Sequence, residues 1–458
     1  MMLTQRCLFG TDGIRGRVNV PPMTAETIIR LARAAASFFT RGSYPRTVVI
    51  GKDTRVSGDM IEGALEAAFT SMGFDVILLG TIPLSAVSLL TRSLRANLGV
   101  MITGSHGYFP DNGLKLLGPD GYKLSDDVEL AIEQRMIVSL PLPNYRNLGK
   151  VRTLGDATGR YIEFVKGTFP KTLQLDGLKI VLDCSQGAAY TVAPTIFSEL
   201  GAHIIPVGVH PDGFNTNVKC GTTDIHLAKK TLIEHKADFA VVLDADADRL
   251  VLLDEKGESV NGDQILALIA PYFYEKGKLK GRGIVSTVMA NRGLERYLKT
   301  LGLALVRSPV GDRYVLASLF QEGMNTGGEP SGHILLHDFS PVADGLITAL
   351  QVAAILIQSG KPLSVLGNPY EPLPQVTHTL PFGAFMPMES DASKNIIRQA
   401  EEMIGHQGVL VVRVSGTEGS LRLMAQSEDE SLVHDVIDFL VQSLGENYSA
   451  SLKEPLFA

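Results

Sequence analysis

The sequence lacks the features that mark several classes of protein. It has no excess of basic residues, since 42 lysines and arginines stand against 49 aspartates and glutamates, for a formal net charge of −7. This balance gives no support for nucleic-acid binding, which usually uses a basic patch. No apolar run approaches the roughly 18 residues of a membrane span, and the start, MMLTQRCLFGTDG, predicts no signal peptide. We therefore expect neither nucleic acid nor membrane as a partner.

Cysteine is also scarce. Cys7, Cys184 and Cys220 are scattered, odd in number and without a CxxC pair. Such thiols indicate a reducing, cytoplasmic location, and we expect them to pack as small apolar groups and not to bind metal. The 458 residues, 45% hydrophobic and 20% charged, are enough for three or four globular domains.

A strand–helix–strand pattern occurs three times along the chain. The first strands read TVVIGKDTR, KIVLDCSQG and GIVSTVMAN, and the second strands read FDVILLG, AHIIPVG and LALVRSPVG. Gly73, Gly201 and Gly302 stand where each helix is predicted to end, because glycine adopts the left-handed backbone freely. Such units pair their strands in parallel, so the pattern predicts three similar α/β domains with mixed sheets flanked by helices.

The end of the chain has a different pattern. A Pro- and Gly-rich segment at 360–382 is predicted to be a linker. After it we expect a helix near 391–405, the strands GVLVVRVS and SLRLMAQS, and a helix near 428–444, which together make a small α+β domain. The predicted domains are 1–155, 156–255, 256–368 and 369–458.

The stretch LDADADRLVLLD, which ends at Asp254, carries the strongest chemical signal. Asp244, Asp246 and Asp248 are separated by alanines and lie between two short apolar strands, so three carboxylates converge on one inter-strand loop. Hard oxygen ligands of this kind suit Mg²⁺ or Ca²⁺. A solvated acidic turn is the alternative. An EF-hand is rejected, because Arg249 stands where that loop needs glycine and the flanks resemble strands.

A glycine-rich loop follows the apolar strand ANLGVMI. Gly104, Gly107 and Gly113 allow sharp bends that leave Ser105 and His106 on a loop, where the serine is a candidate nucleophile or phosphate carrier. A glycine-rich turn capped by the hydroxyl is the alternative interpretation.

Two further loops carry groups that suit a sugar phosphate. In GGEPSGHI (327–334), Glu329, Ser331 and His333 alternate and would face one ligand if the segment is extended, whereas a β-turn with a capping glutamate is equally consistent. RVSGTEGSLR (413–422) combines hydroxyls, a glycine backbone and guanidinium groups in a predicted phosphate cradle, with ion pairing on a surface hairpin as the alternative. Its candidate residues are Arg413, Ser415, Gly416, Thr417 and Arg422.

Together with FGTDGIRG (9–16), these loops in this order resemble the α-D-phosphohexomutase family over essentially the whole chain. The stretches GFNTNVKCGTTD, NGDQILALIA, STVMANRGLE and VGDRYVL are similar to its members that act on an amino sugar. The resemblance implies four domains around a central cleft. It also implies interconversion of glucosamine 6-phosphate and glucosamine 1-phosphate through a 1,6-bisphosphate, a step toward UDP-N-acetylglucosamine and peptidoglycan.

The family mechanism carries over by position. Ser105 is then the phosphoserine, and one Mg²⁺ is held by Asp244, Asp246, Asp248 and a phosphate oxygen on Ser105. Arg15, Lys115 and Arg249 supply positive charge, and Lys115 or His106 transfers protons. Glu329 and Ser331 hold sugar hydroxyls with His333 nearby. The second phosphate is clamped by Arg413, Ser415, Gly416, Thr417 and Arg422.

The resemblance also implies further requirements, and the chain departs from the family pattern in two loops. A sugar 1,6-bisphosphate is expected as activator, a phosphate donor or kinase must first phosphorylate Ser105, and a homodimer is left open. The usual Ala-Ser-His-Asn-Pro is Gly104-Ser105-His106-Gly107-Tyr108 here, which predicts a looser loop. Two prolines of the phosphate loop are replaced by Val414 and Gly419. A broader phosphoglucomutase/phosphomannomutase and a catalytically weak sugar-phosphate-binding protein are the functional alternatives.

Overall fold

The computed structural model describes residues 6–40, 46–381, 390–414 and 420–451, and the side chains up to residue 445. Within this part, the strands form four sheets of six, five, four and three strands. The first three sheets are mixed and flanked by helices, and the fourth is antiparallel with two helices, as predicted.

The first sheet has the strand order β1-β5-β4-β2-β3-β6. Its strands are β1 (Ile14–Arg17), β2 (Arg46–Lys52), β3 (Phe74–Thr81), β4 (Leu98–Ile102), β5 (Asp111–Leu117) and β6 (Val151–Thr153). The helices of this region are α1 (Ala25–Phe38), α2 (Ser57–Ser71), α3 (Leu84–Ser93) and α4 (Asp126–Met136).

The second sheet has the order β11-β10-β9-β7-β8. Its strands are β7 (Lys179–Asp183), β8 (His203–Val207), β9 (Phe239–Leu243), β10 (Leu250–Leu253) and β11 (Ser259–Val260), with helices α5 (Ala157–Lys166), α6 (Val192–Glu199) and α7 (His226–His235). Since β11 pairs with β10, this sheet extends past residue 255. The predicted domain boundaries stay a prediction.

The third and fourth sheets have the orders β13-β12-β14-β15 and β16-β18-β17. The third region contains β12 (Gly283–Thr287), β13 (Ala304–Ser308), β14 (Thr326–Gly328) and β15 (Ile334–Leu336), with α8 (Gly262–Glu275), α9 (Arg292–Thr300), α10 (Asp312–Glu322), α11 (Gly345–Ser359) and α12 (Leu363–Leu366). The fourth contains β16 (Gln375–Pro381), β17 (Gly408–Val414), β18 (Ser420–Ser427), α13 (Asp391–Ile404) and α14 (Glu430–Ser451).

The three predicted strand–helix–strand units are present and pair in parallel, as β2 with β3, β7 with β8, and β12 with β13. Gly73, Gly201 and Gly302 follow the ends of α2, α6 and α9 with φ of 78°, 103° and 69°. Their left-handed backbone stops each helix and turns the chain toward the next strand, as the sequence pattern predicts.

Each of these domains repeats one arrangement of four strands. The orders β5-β4-β2-β3, β10-β9-β7-β8 and β15-β14-β12-β13 are equivalent. In each set, the two strands that come last in sequence form an antiparallel pair: β4 with β5, β9 with β10, and β14 with β15. The loops between those last two strands carry Ser105, the three aspartates and Glu329, respectively. All three therefore lie at the carboxyl end of a strand that runs parallel to its other neighbour, where α/β sheets usually bind ligands.

The predicted linker at 360–382 is wrong for much of its length. It contains α12 and β16, and β16 pairs with β18 from Gln375 to Pro381. Val376 and Leu380 pack on the core of the fourth domain, so this strand belongs to that domain despite its prolines, at an edge where proline is tolerated.

The largest apolar cluster is shared by the first three domains. It includes Val49, Val241 and Ile284, one from each sheet. The fourth domain has a separate cluster around Leu423 and Leu440. None of the helices in the described part of the chain has the length and apolar character that a bilayer crossing requires.

The cysteines are free thiols. Cys184 and Cys220 are buried, as expected of small apolar groups. The same expectation is wrong for Cys7, which is exposed. The N–H groups of Cys7 and Leu8 donate to the carboxylate of Glu133, which fixes the backbone at this exposed position.

Candidate active site

Ser105 lies just beyond β4 with a φ of 48°, a left-handed conformation that is uncommon for non-glycine residues. Its side chain is buried, and its Oγ donates a hydrogen bond of 2.7 Å to Oδ2 of Asp244 in the second domain. Its N–H donates to Oγ1 of Thr103 at 2.8 Å. The predicted nucleophile thus meets the predicted metal loop and does not cap its own turn.

The serine loop is held from two sides. Asn217 Nδ2 donates to the carbonyl oxygens of Ser105 and Gly107, both at 2.7 Å, and Arg55 Nη2 donates to the same two oxygens, at 3.0 Å to that of Ser105. A Cβ on Gly104 would lie 2.8 Å from the guanidinium of Arg55, so glycine permits this close approach. These contacts hold the loop in place without the asparagine and proline that it lacks.

Asp244, Asp246 and Asp248 form a buried triad between the antiparallel strands β9 and β10. One oxygen from each lies within 4.8 Å of the others. Asp246 Oδ1 has no hydrogen-bond partner, and Oδ2 has only an ion-pair contact of 2.7 Å with Lys115 Nζ. Burial, followed by the charges of Asp246 and Asp248, raises the pKa of Asp244 well above its usual value. The solvated-turn alternative is therefore wrong. Three buried carboxylates beside a serine hydroxyl fit a hard divalent cation.

Lys115, on β5, brings positive charge to the triad. Its Nζ lies 2.7 Å from Asp246 Oδ2, 2.6 Å from Asp248 Oδ2 and 3.1 Å from Asp12 Oδ2. Burial lowers the pKa of Lys115, but the three carboxylates outweigh it and raise the pKa well above the ordinary value. Lys115 is therefore a buried ammonium, suited to stabilise negative charge or to donate a proton.

His106 differs from Lys115 in its charge. Burial, followed by the nearby Arg249 and Arg15, lowers the pKa of His106 to about 3, so the imidazole is neutral at pH 7. Its Nδ1 is buried and makes no hydrogen bond. A neutral imidazole among cations can accept a proton or a hydrogen bond.

Residues 329–333 form a turn and not the predicted extended segment. Glu329 N–H donates to the His333 carbonyl at 3.0 Å, and the chain reverses at Gly332, whose φ is 86°. Glu329 Oε1 accepts a hydrogen bond of 3.0 Å from the N–H of Gly311. The turn alternative is thus confirmed, although Glu329, Ser331 and His333 all line the same cavity.

We expect Gly332→Ala to destabilise the protein by about 3 kcal/mol, since a left-handed backbone and overpacking each cost a non-glycine residue roughly 1–3 kcal/mol. A Cβ at this position would lie 1.9 Å from the carbonyl oxygen of Leu250, on the strand that follows the triad. Gly302→Ala is the matched control, because it also has positive φ but meets no atom within 4 Å. Urea titration of both variants measures the difference, and equal losses would contradict the prediction.

Arg413 and Arg422 face each other as Cα partners on β17 and β18. Both line the cavity with the first three domains' loops. The predicted partners Ser415, Gly416 and Thr417, together with Gly419, lie outside the described residues.

One cavity of about 490 Å³ is lined by all four domains. Ser105 and the triad are buried and do not line it, whereas their sequence neighbours His106 and Arg249 do. The predicted site residues in its wall are Arg15, His106, Arg249, Glu329, Ser331, His333, Arg413 and Arg422. The volume suits a small ligand, and the cationic groups suit an anionic one.

Several buried or mostly buried polar residues of the site were not predicted. Three of them stand inside stretches already quoted, Asp12 in FGTDGIRG, Asn217 in GFNTNVKCGTTD and Asp312 in VGDRYVL, but their types alone did not indicate a role. The missed residues are Asp12, Arg55, Lys123, Asn217 and Asp312.

Four family models match the chain in order. They describe phosphoglucomutase/phosphomannomutase alpha/beta/alpha domain I at 6–138, domain II at 159–257, domain III at 261–372 and the C-terminal domain at 378–443. Proteins named phosphoglucosamine mutase are similar over nearly the whole length. Those of Rhodospirillum centenum and Caulobacter vibrioides are both 51% identical to the chain, and the matches cover 96% of it and 95% and 99% of the relatives.

Solved structures have the same fold. A phosphoglucomutase/phosphomannomutase family protein from Burkholderia thailandensis matches with a TM-score of 0.79 at 22% identity, covering 96% of this chain and 97% of that one. An Aspergillus fumigatus N-acetylphosphoglucosamine mutase, in complex with GlcNAc-6P and magnesium, matches with a TM-score of 0.66 at 16% identity, covering 96% of each chain.

Proposed function

This chain belongs to the phosphoglucomutase/phosphomannomutase family, and on that premise we propose that it is a phosphoglucosamine mutase. It interconverts glucosamine 6-phosphate and glucosamine 1-phosphate, on the route to UDP-N-acetylglucosamine and peptidoglycan. The names of relatives at 51% identity support the amino-sugar substrate. The observation that carries the chemistry is the hydrogen bond between Ser105 Oγ and Asp244 of the buried triad, next to a cavity lined by cations.

In this proposal, phosphorylated Ser105 transfers its phosphoryl group to the free hydroxyl of the sugar phosphate. The P–Oγ bond breaks and the hydroxyl loses its proton, which leaves a 1,6-bisphosphate and a free serine. The bisphosphate turns over in the cavity and returns its other phosphoryl group to Ser105 Oγ. The product is the isomeric monophosphate, and the enzyme is again phosphorylated.

Asp244, Asp246, Asp248 and a phosphate oxygen on Ser105 are proposed to hold one Mg²⁺. When bound, the ion supplies charge neutralisation at the phosphoryl oxygens. Lys115, 2.6 Å from Asp248, and Arg249 on the cavity wall add positive charge at the same place.

The remaining groups bind the sugar or move its proton. His106 or Lys115 is proposed to transfer the proton of the sugar hydroxyl; His106 is neutral at pH 7 and can accept a hydrogen bond from that hydroxyl, whereas Lys115 is charged and can donate one. Glu329 and Ser331 accept and donate hydrogen bonds to hydroxyls, with His333 beside them. Arg15 adds charge near Ser105. The clamp on the distal phosphate consists of Arg413, Ser415, Gly416, Thr417 and Arg422.

We place the enzyme in a reducing cytoplasm, which suits its three free cysteines. A sugar 1,6-bisphosphate is its activator, and a phosphate donor or kinase first phosphorylates Ser105.

The test is turnover of glucosamine 6-phosphate, glucose 6-phosphate and mannose 6-phosphate by the phosphorylated enzyme, with Mg²⁺ and the matching bisphosphate. We expect at least a tenfold higher kcat/KM for the amino sugar, because a site that binds the C2 substituent discriminates by about 1.4 kcal/mol or more. Equal values would indicate the broader mutase. Tight binding of all three sugars without turnover would indicate a binding protein.

A further inference from the structure

Six ionisable side chains from three domains form a closed ring beside the cavity. Around the ring, each aspartate lies between two basic side chains, which are lysines or a histidine. In order around the ring they are Asp248, Lys115, Asp12, Lys123, Asp312 and His333. The first domain contributes three of them, the second contributes one and the third contributes two.

Lys123 closes this ring between the first and third domains. Its Nζ lies 2.5 Å from Oδ1 of Asp12 and 2.5 Å from Oδ2 of Asp312, and only 8% of its side chain is exposed. Asp12 continues to Lys115, which contacts the triad. An ammonium buried this deeply is stable only while both carboxylates stay in place, because an unpaired buried charge costs several kcal/mol.

On the third-domain side, Asp312 reaches the sugar loop, residues 327–334. Its Oδ2 lies 3.4 Å from His333 Nε2, and His333 Nδ1 lies 4.0 Å from Asp248 Oδ1. Asp312 is also the first residue of α10, directly after Gly311, whose N–H donates to Glu329. A movement of Asp312 therefore moves both ends of the turn that carries Glu329 and His333.

Both partners keep their charges. Burial lowers the pKa of Lys123, but the carboxylates of Asp12 and Asp312 outweigh it and raise the pKa. Burial raises the pKa of Asp312, but Lys123 and His333 outweigh it and lower the pKa. The contact between the two domains is thus an ion pair between side chains that are only 8% and 9% exposed.

We propose that Lys123, through its ion pair with Asp312, is a positioning residue that sets the distance between the sugar loop and Ser105. Lys123 does not line the cavity, so it acts through Asp12 and Asp312 and not on the substrate. The inference rests on the proposed mutase activity for its kinetic consequence, but its geometric consequence can be measured without any substrate.

The experiment compares Lys123→Met, Asp312→Asn and the double variant with Lys280→Met, a control that removes an exposed lysine from its 2.7 Å pair with Asp338. We expect Lys123→Met to lower kcat/KM about 100-fold, mainly through KM, since a displacement of about 1 Å costs that much. Hydrogen exchange should rise in residues 327–334 and not in 104–108. The double variant should regain at least tenfold over Lys123→Met, because the stranded carboxylate is then neutral.

The proposal is overturned if Lys123→Met has the same hydrogen exchange in 327–334 and the same kcat/KM as Lys280→Met. It is also overturned if the loss of kcat/KM in the double variant equals the product of the losses in the two single variants. Should Lys123→Met not fold, Asp312→Asn decides: faster exchange confined to 327–334 supports the proposal, and unchanged exchange there overturns it. Exchange results do not depend on the substrate. A wild-type protein without mutase turnover would therefore refute the proposed function and leave this inference separately testable.

Discussion

Replacing Ser105 with alanine is expected to lower mutase turnover by about 10⁴-fold or more, because the phosphoryl group then has no carrier on the enzyme. The fold should survive. The backbone contacts of the loop, from Asn217 and Arg55 to the carbonyls, do not involve the hydroxyl. Alanine also has no larger penalty than serine at a φ of 48°.

Two measurements check this result. The first is turnover of glucosamine 6-phosphate, beside Ser198→Ala, in which an exposed helical serine loses hydrogen bonds to the carbonyls of Pro194 and Thr195 within its own helix. The second is the intact mass after incubation with the sugar bisphosphate, where wild type gains one phosphoryl group and Ser105→Ala gains none. Activity above about 1% of wild type in Ser105→Ala would mean that another residue carries the phosphoryl group.

Asp246→Asn is expected to lower the activity without lowering the stability of the metal-free protein. Asp246 is fully buried, Asp244 and Asp248 repel it, and its one attractive contact is the ion pair of 2.7 Å between Oδ2 and Lys115 Nζ. Without a divalent ion, relief of the repulsion should offset the loss of this ion pair, so the neutral variant should unfold at about the same temperature as wild type. Lys115 keeps its contacts with Asp12 and Asp248 and is not stranded by the change.

With Mg²⁺ present, wild type should unfold at a higher temperature than Asp246→Asn. Mg²⁺ at about 100 times its Kd stabilises a protein that binds it only when folded by about 2.7 kcal/mol, and the variant should lose most of this gain together with about 10³-fold in turnover. The unfolding temperatures of wild type and Asp246→Asn, measured with EDTA and with Mg²⁺, test the stability changes. A turnover assay tests the loss of activity. Asp224→Asn is the matched control, since that aspartate lies outside the triad, is 33% exposed and is bound to His226. A variant that Mg²⁺ stabilises as much as wild type would place the ion elsewhere.

The local features of the fold could be predicted from the sequence because local rules determine them. Glycines at 73, 201 and 302 end helices through their own backbone freedom, and the Asp-Ala-Asp-Ala-Asp run lies between strands that pair with each other. The strand β16 was missed because prolines nearby suggested a linker, whereas its pairing with β18, more than forty residues away, decides its structure.

The assembled site depends on contacts between residues that are distant in sequence. Ser105 and Asp244 were both found, but no sequence rule says that their oxygens meet at 2.7 Å. Lys123 and Asp312 were not predicted, since a single lysine or aspartate is usually solvated and only tertiary packing buries this pair. The extended form of residues 329–333 failed for a similar reason: the turn depends on packing against Leu250 of another domain.

The grouping of apolar residues into clusters determines which domains a destabilising substitution affects. One cluster joins the first three domains, and another belongs to the fourth alone. A cavity made at Val241 therefore weakens packing that the sheets on either side share, so three domains lose stability together. A cavity at Leu423 is confined to the last domain. Substitutions in the shared cluster should therefore affect three of the four domains that line the cavity, whereas those in the cluster of the fourth domain should affect that domain alone.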